Sequence, residues 1–270
     1  MGTAVFFHAH PDDEAIATGG VMAQSAAAGH RVVLVCATDG AVGEPAEGSV
    51  PEGSTLGAVR LAELQEAGAI LGAARVEWLG YGDSGMKDEP SNDDPDCFWQ
   101  ADVETAAERL AAILRDEKAD FITVYDSHGG YGHPDHIQVH RVGHRAAELA
   151  GTSRVYESTM NRDRMRALAD FAFEGADDAP ELAEQREEMR ETEMGTPAEQ
   201  ITHEIDVSAL VNEKRRAMAA HRSQISEESF FLTMPDEAFE AAFGAEYFIE
   251  IGARRAGESF EQDLFAGLGG

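Results

Sequence analysis

Arg31-Val32-Val33-Leu34-Val35-Cys36-Ala37 is apolar at every position after the first. A half-exposed strand alternates polar and apolar residues, so an unbroken apolar run reads as a strand buried on both faces. Such strands belong to parallel sheets covered by helices. Working outward, Thr3–Phe7, Val76–Leu79, Phe121–Tyr125 and Val155–Ser158 read as further strands. A Pro-started stretch from Pro11 to Ala28, together with Leu56–Leu71, Ala101–Glu117 and Pro134–Ala150, reads as the helices between them. Strands alternating with helices predict an α/β fold: a Rossmann-like, mostly parallel sheet with helices on both faces and right-handed crossovers. Residues 1–160 form this expected core. The charge-dense stretch 161–200 reads as a helical flap. Residues 201–255 read as a smaller C-terminal α/β extension packing on the core, with strands at Ile201–Val207 and Tyr247–Ile251, and 256–270 as a loose tail.

The chain has 270 residues and can bury a core, with 43% hydrophobic and 27% charged residues. Its 51 acidic residues against 21 basic ones leave a formal net charge of −30. Such a surface repels phosphate backbones and anionic lipid, which excludes nucleic acid and membrane surfaces as expected partners and leaves a homo-oligomer open. No apolar run approaches the roughly 18–20 residues of a membrane span, and no secretory signal is visible. Cys36 and Cys97 are too few for a disulfide framework or a cysteine zinc site, so a reducing cytoplasm is the expected location.

In a parallel sheet, ligands bind outside the carboxyl ends of the strands. The segments there are His8–Glu14, Thr38–Glu44, Gly80–Met86 and Asp126–His136, all rich in Gly, His and Asp. No G-x-G-x-x-G or G-x-x-x-x-G-K-[ST] follows a strand, so the usual nucleotide fingerprints are absent. Two of the segments carry the same unit. In His10-Pro11-Asp12-Asp13-Glu14, a proline suits the first helical position, and the spacing of His10 and Asp13 lets both face one metal ion. Asp12 and Asp13 are adjacent and differently directed, so one can bind metal while the other handles protons. In His128-Gly129-Gly130-Tyr131-Gly132-His133-Pro134-Asp135-His136, either His133 or His136 can complete a His₂Asp site with an open position for water. Each run alone also reads as helix-capping residues; the pair of them does not.

The pair HAHPDDE and GHPDH resembles the PIG-L/LmbE deacetylases, a family that includes N-acetylglucosaminyl-phosphatidylinositol de-N-acetylase and the actinobacterial mycothiol enzymes. The likeness continues through Arg60–Glu63, Leu79–Met86 and Ala220–Gln224. It implies a soluble hydrolase that removes the N-acetyl group from a small N-acetylglucosaminyl-type substrate with one Zn²⁺ per chain, Fe²⁺ and Co²⁺ being acceptable to the same donors. It assigns the metal to His10, Asp13 and His136 and makes Asp12 the general base. His133 becomes the oxyanion stabiliser or acid, Asp135 its orienting partner, and Tyr131 a contact near the reacting carbonyl. Arg60, Asp83 and Gln224 become the substrate-binding residues. Arg60 also reads as half of a surface pair with Glu63, and Asp83 as the start of a turn. His221 lies on an apolar stripe and reads as a core histidine, His140 as a support to the metal site, and His144 as solvated. A conjugate amidase of the same family and a catalytically idle sugar-binding module are the rival readings. The intact Asp12 and His133 speak against idleness. The residue that partly separates deacetylase from amidase is Ala17 here, neither Ser nor Lys.

Overall fold

The computed structural model describes residues 1–172, 194–255, 257 and 259–268. Seven strands form one sheet: β1 (Thr3–His8), β2 (Arg31–Thr38), β3 (Arg75–Tyr81), β4 (Phe121–Tyr125), β5 (Arg154–Thr159), β6 (His203–Asp206) and β7 (Ala245–Glu250), in the order β3-β2-β1-β4-β5-β7-β6. β1 to β5 run parallel, and β7 pairs antiparallel with both β5 and β6. The strand order reverses at β1 and β4, because β2 and β3 extend one way and β5 the other. Their carboxyl ends therefore open the crevice in which ligands of such sheets sit.

Alternation along β1 builds the two layers that bury the sheet. Ala4 and Phe6 face a core shared with helices Gly19–Ala27, Leu56–Ile70 and Val211–Ala220. Val5, Phe7 and Ala9 face the opposite core, with helices Val103–Glu117 and Pro134–Ala150. Helix Pro134–Ala150 has the expected bounds: His133 accepts from the Asp135 N–H as its cap, Pro134 opens it, and Gly151 ends it in the left-handed conformation at φ 73°.

Three expectations change. The single helix from Pro11 to Ala28 is two, Asp13–Ala17 and Gly19–Ala27, broken at Thr18. The second lies so close to the C-terminal part that a Cβ on Gly20 would meet Val207 at 2.5 Å. Glu246 on β7 accepts from the Gly20 and Val21 N–H groups and pairs with the buried Lys214 at 2.5 Å, so the C-terminal extension closes the same sheet and caps this helix. The tail is not loose over 259–268: Leu264 is buried, its carbonyl accepts from the Tyr156 hydroxyl, and Phe265 stacks on His30. Of the expected flap, Arg162–Ala172 is a helix, while 173–193 lie outside the described residues.

Candidate active site

β1 ends at His8, and the chain then turns sharply through His10-Pro11-Asp12-Asp13 into a helix. Asp12 makes the turn at φ 120°, a conformation that non-glycine residues avoid and that costs on the order of 1–3 kcal/mol. Glu14, fully buried, holds it there by accepting from the Asp12 N–H at 3.0 Å. The other Glu14 oxygen meets His221 Nε2 at 2.6 Å, and His221 is itself fully buried. Burial opposes both charges, yet the pair holds Glu14 below and His221 above their ordinary values. Arg60 grips the same turn from the other side, donating to Pro11 O at 2.6 Å, Gly40 O at 2.7 Å and Asp12 Oδ2 at 3.1 Å. The result is a carboxylate presented at the mouth of the crevice on a strained but doubly braced backbone.

Asp13 points the other way. Its Oδ2 accepts from the His10 N–H at 2.8 Å and lies 3.3 Å from both His10 Nδ1 and His136 Nε2. His136 Nε2 is buried and has no hydrogen-bond partner. One nitrogen of each imidazole thus lies within ligand-to-ligand reach of the same carboxylate oxygen. The far side of His10 fits the same picture. Its Nε2 lies 3.2 Å from Asp135 Oδ2 and 3.4 Å from Asp83 Oδ1, the carboxylate–histidine arrangement that fixes a ligating ring. Burial works against a charged His10, but Asp13, Asp135 and Asp83 outweigh it and hold its pKa well above the ordinary value. Asp13 is held well below its own, burial being outweighed by His136 and His10. The orphan nitrogen and this donor set fit a divalent metal.

Donor atoms of His10, His133 and His136 also converge within 4.8 Å, as do those of His10, Asp83, His133 and Asp135. Hydrogen bonding separates His133 from a ligand role. The Asp135 N–H donates to His133 Nδ1 at 3.1 Å, so that nitrogen carries no proton and Nε2–H is the donor of the neutral ring. Burial and the neighbouring His10 and His136 push His133 down to about 4, which keeps it neutral. Asp135 meets His133 through its backbone N–H, while its carboxylate has other partners. The carboxylate accepts from the Ser84 hydroxyl and Ser84 N–H and faces His10, and only the backbone of Asp135 orients His133.

The structure gathers the other expected residues around this cluster. Tyr131 is half-exposed on the glycine-rich turn, its ring edge-on to His136 at 5.0 Å. That turn hugs the helix: Gly129 has φ 62°, and a Cβ there would meet His136 Cβ at 2.6 Å. Asp83 is 8% exposed and accepts from the Gly85 and Val42 N–H groups. Arg60 is 4% exposed and does not pair with Glu63, which instead accepts from the Ser223 N–H and hydroxyl. Gln224 sits at the rim, donating to the Ser223 and Glu44 carbonyls. Burial pushes the Asp12 carboxyl up to about 6, against the pull of Arg60.

Sequence reasoning missed the bracing of Asp12, although Glu14 lay within the motif and His221 within the family likeness. It also missed Ser84, and Tyr125, whose ring stacks on His136 at 4.3 Å while its hydroxyl meets His8 Nδ1 at 2.8 Å. An aromatic at the last position of β4 was the available signal.

Comparison with known proteins agrees with this geometry. The family profile described as PIG-L, GlcNAc-PI de-N-acetylase, matches residues 5–147. The chain is 40% identical to the 1D-myo-inositol 2-acetamido-2-deoxy-α-D-glucopyranoside deacetylase of Acidothermus cellulolyticus, over 97% of this chain and 93% of that protein. It is also 40% identical to the deacetylase of the same name from Thermobifida fusca, over 96% and 97%. Its fold is similar to that of the conserved protein TT1542 from Thermus thermophilus, with a TM-score of 0.59 at 20% identity, covering 93% of this chain and 95% of that one. With that identity to the two deacetylases sustained from end to end and both histidine motifs converging at one strand crossover, the chain belongs to the PIG-L family of metal-dependent de-N-acetylases.

Proposed function

We propose that the protein hydrolyses the acetamide of 1D-myo-inositol 2-acetamido-2-deoxy-α-D-glucopyranoside, releasing acetate and the free amino sugar, with Zn²⁺ held by His10, Asp13 and His136. The observation that carries the chemistry is the buried, partnerless His136 Nε2 facing Asp13 Oδ2 beside the braced Asp12 carboxylate. The substrate rests on the name shared by the relatives at 40% identity. Zinc suits two imidazoles and one carboxylate with an open position. A reducing cytoplasm is supported by the unpaired, buried Cys36 and Cys97.

When bound, the metal supplies Lewis acidity toward both the attacking water and the amide carbonyl. Asp12 takes the proton that water loses as its oxygen bonds to the carbonyl carbon. His133 donates its Nε2–H to the carbonyl oxygen as that oxygen gains charge, and it does so as a neutral ring because the Asp135 N–H occupies Nδ1. Asp12 then returns the proton to the sugar nitrogen as the C–N bond breaks. Arg60 keeps Asp12 aimed. Arg60 and Asp83 form the floor on which the sugar hydroxyls rest, Gln224 meets the substrate at the rim, and Tyr131 covers the reacting acetamide. Loading the protein with Zn²⁺ and measuring amine release from the inositol substrate and from thiol-sugar S-conjugates tests this reading. Turnover of the inositol substrate is expected; cleavage of the conjugates alone would replace it with the amidase reading.

A further inference from the structure

Helix Pro134–Ala150 carries two more histidines, His140 and His144, one turn apart and beyond His136. Their rings lie 4.4 Å apart, and both face Glu157 of β5. His144 Nε2 is 2.9 Å from Glu157 Oε1, and His140 Nδ1 is 3.3 Å from the same oxygen. Donor atoms of the three residues all lie within 4.8 Å of one another. His140 Nδ1 also meets the Tyr125 carbonyl at 3.1 Å, an interaction that orients the ring and leaves its other nitrogen with a free lone pair.

The environment calls for a cation. Glu157 is only 8% exposed, at the third-to-last position of its strand, and its ion pairs are with these two imidazoles; no Lys or Arg among the described residues reaches it. A buried carboxylate is costly without compensating charge. A divalent ion compensates it with both rings neutral. The histidine side chains are 22% and 27% exposed, so an ion has a route in. Like the His10–Asp13–His136 cluster, this one joins two imidazoles and one carboxylate, brought together here from a helix and a strand.

We propose that His140, His144 and Glu157 form a second site for a divalent transition metal. Two imidazoles and one carboxylate select Zn²⁺, Co²⁺, Ni²⁺ or Cu²⁺ over Mg²⁺ or Ca²⁺. The ion pins helix Pro134–Ala150 to β5 and takes no part in amide hydrolysis, since among the described residues no unpaired base stands beside it. Its affinity is below that of the first site, because His144 and Glu157 already hydrogen-bond and must give up that contact.

Co²⁺ titration of the full-length protein, followed by absorption and by the imidazole NMR resonances, tests the proposal. Two equivalents are expected, the second moving the His140 and His144 resonances. His144→Gln and His140→Gln, tested separately, should each remove the second equivalent, and His144→Gln should leave the first equivalent and the amide hydrolysis unchanged. His10→Ala should remove the first and leave the second, so failure of either site is distinguishable. A single equivalent in the unmodified protein would overturn the proposal. So would a second equivalent that persists in both glutamine variants, which would place it on surface carboxylates.

Discussion

Helix Pro134–Ala150 sends histidines into two carboxylate clusters, and the two differ in what surrounds them. Around His136 stand Asp12 on a strained turn, His133 with its proton fixed on Nε2, and the loops at the carboxyl ends of β1 and β4. Around His140 and His144 stand Glu157, in the body of β5, the Tyr125 carbonyl and, nearby, Asp126. The donor sets are nearly the same. In the proposed mechanism the chemistry is assigned to Asp12 and His133, at the strand crossover where a substrate can enter. Metal-binding residues alone would not distinguish an active site from a structural clamp.

The largest separation of the two clusters is expected from His10→Ala. It should lose the tight metal and with it all measurable amide hydrolysis, whereas His144→Gln should retain full turnover; parallel metal analysis and amine release check both. Next comes His133→Ala, expected to keep its metal and lose about 10²–10³ in kcat, the scale of one oxyanion donor. A pH–rate profile should retain its shape at reduced height, because the donor is the neutral ring. A selective loss on the acidic limb would instead mark an imidazolium acid. Asp135→Asn removes the carboxylate that faces His10 and should weaken metal binding by about 10–100-fold, read by competition with a chelator.

The smallest effect concerns the second cluster without metal. For His140, burial is outweighed by Glu157, which lies on β5, together with the nearby Asp126, and its pKa is raised; His144 faces the same carboxylate from its own helix. For Glu157, burial is likewise outweighed by the two histidines, which hold it down at about 2. The His140 contribution is fully present below its ordinary value of 6.5 and is lost as pH rises through the raised one. The Glu157 contribution is present above its ordinary value of 4.5 and is lost as pH falls toward about 2. In chelator, the Tm penalty of Glu157→Gln should therefore be greatest between pH 4.5 and 6.5 and shrink above it. Added Zn²⁺ should restore the penalty at higher pH, because metal requires the neutral rings. A penalty that is flat with pH would separate stability from this cluster.

Most of the fold was legible because a doubly buried strand such as Val32–Ala37 leaves an unmistakable apolar run, and because strand–helix alternation admits one main topology. The break at Thr18 was not: there the Thr18 hydroxyl meets His8 Nε2 of β1, a contact that residue spacing does not reveal. The ordered end of the chain was hidden for a similar reason: Leu264 and Phe265 are ordinary apolar residues whose contacts, Tyr156 and His30, lie far away in sequence. At the site, residue types and spacing suggested which side chains converge. They could not show that Asp12 adopts a positive φ, that Glu14 and His221 brace it, or that the Asp135 carboxylate serves His10 rather than His133. Each of these depends on direction, and direction is set by tertiary contacts.

In the proposed mechanism Asp12 moves the proton while its neighbour Asp13 holds the metal. Asp12→Asn keeps the size of the side chain and removes the base. Metal content and the rate of amine release from the inositol substrate, measured on the same zinc-loaded sample, test the claim most directly. One tightly bound metal is expected, as in the unmodified protein, with a kcat lower by about 10²–10⁴. Loss of that metal with activity regained in excess Zn²⁺, or unchanged turnover with the metal in place, would contradict it.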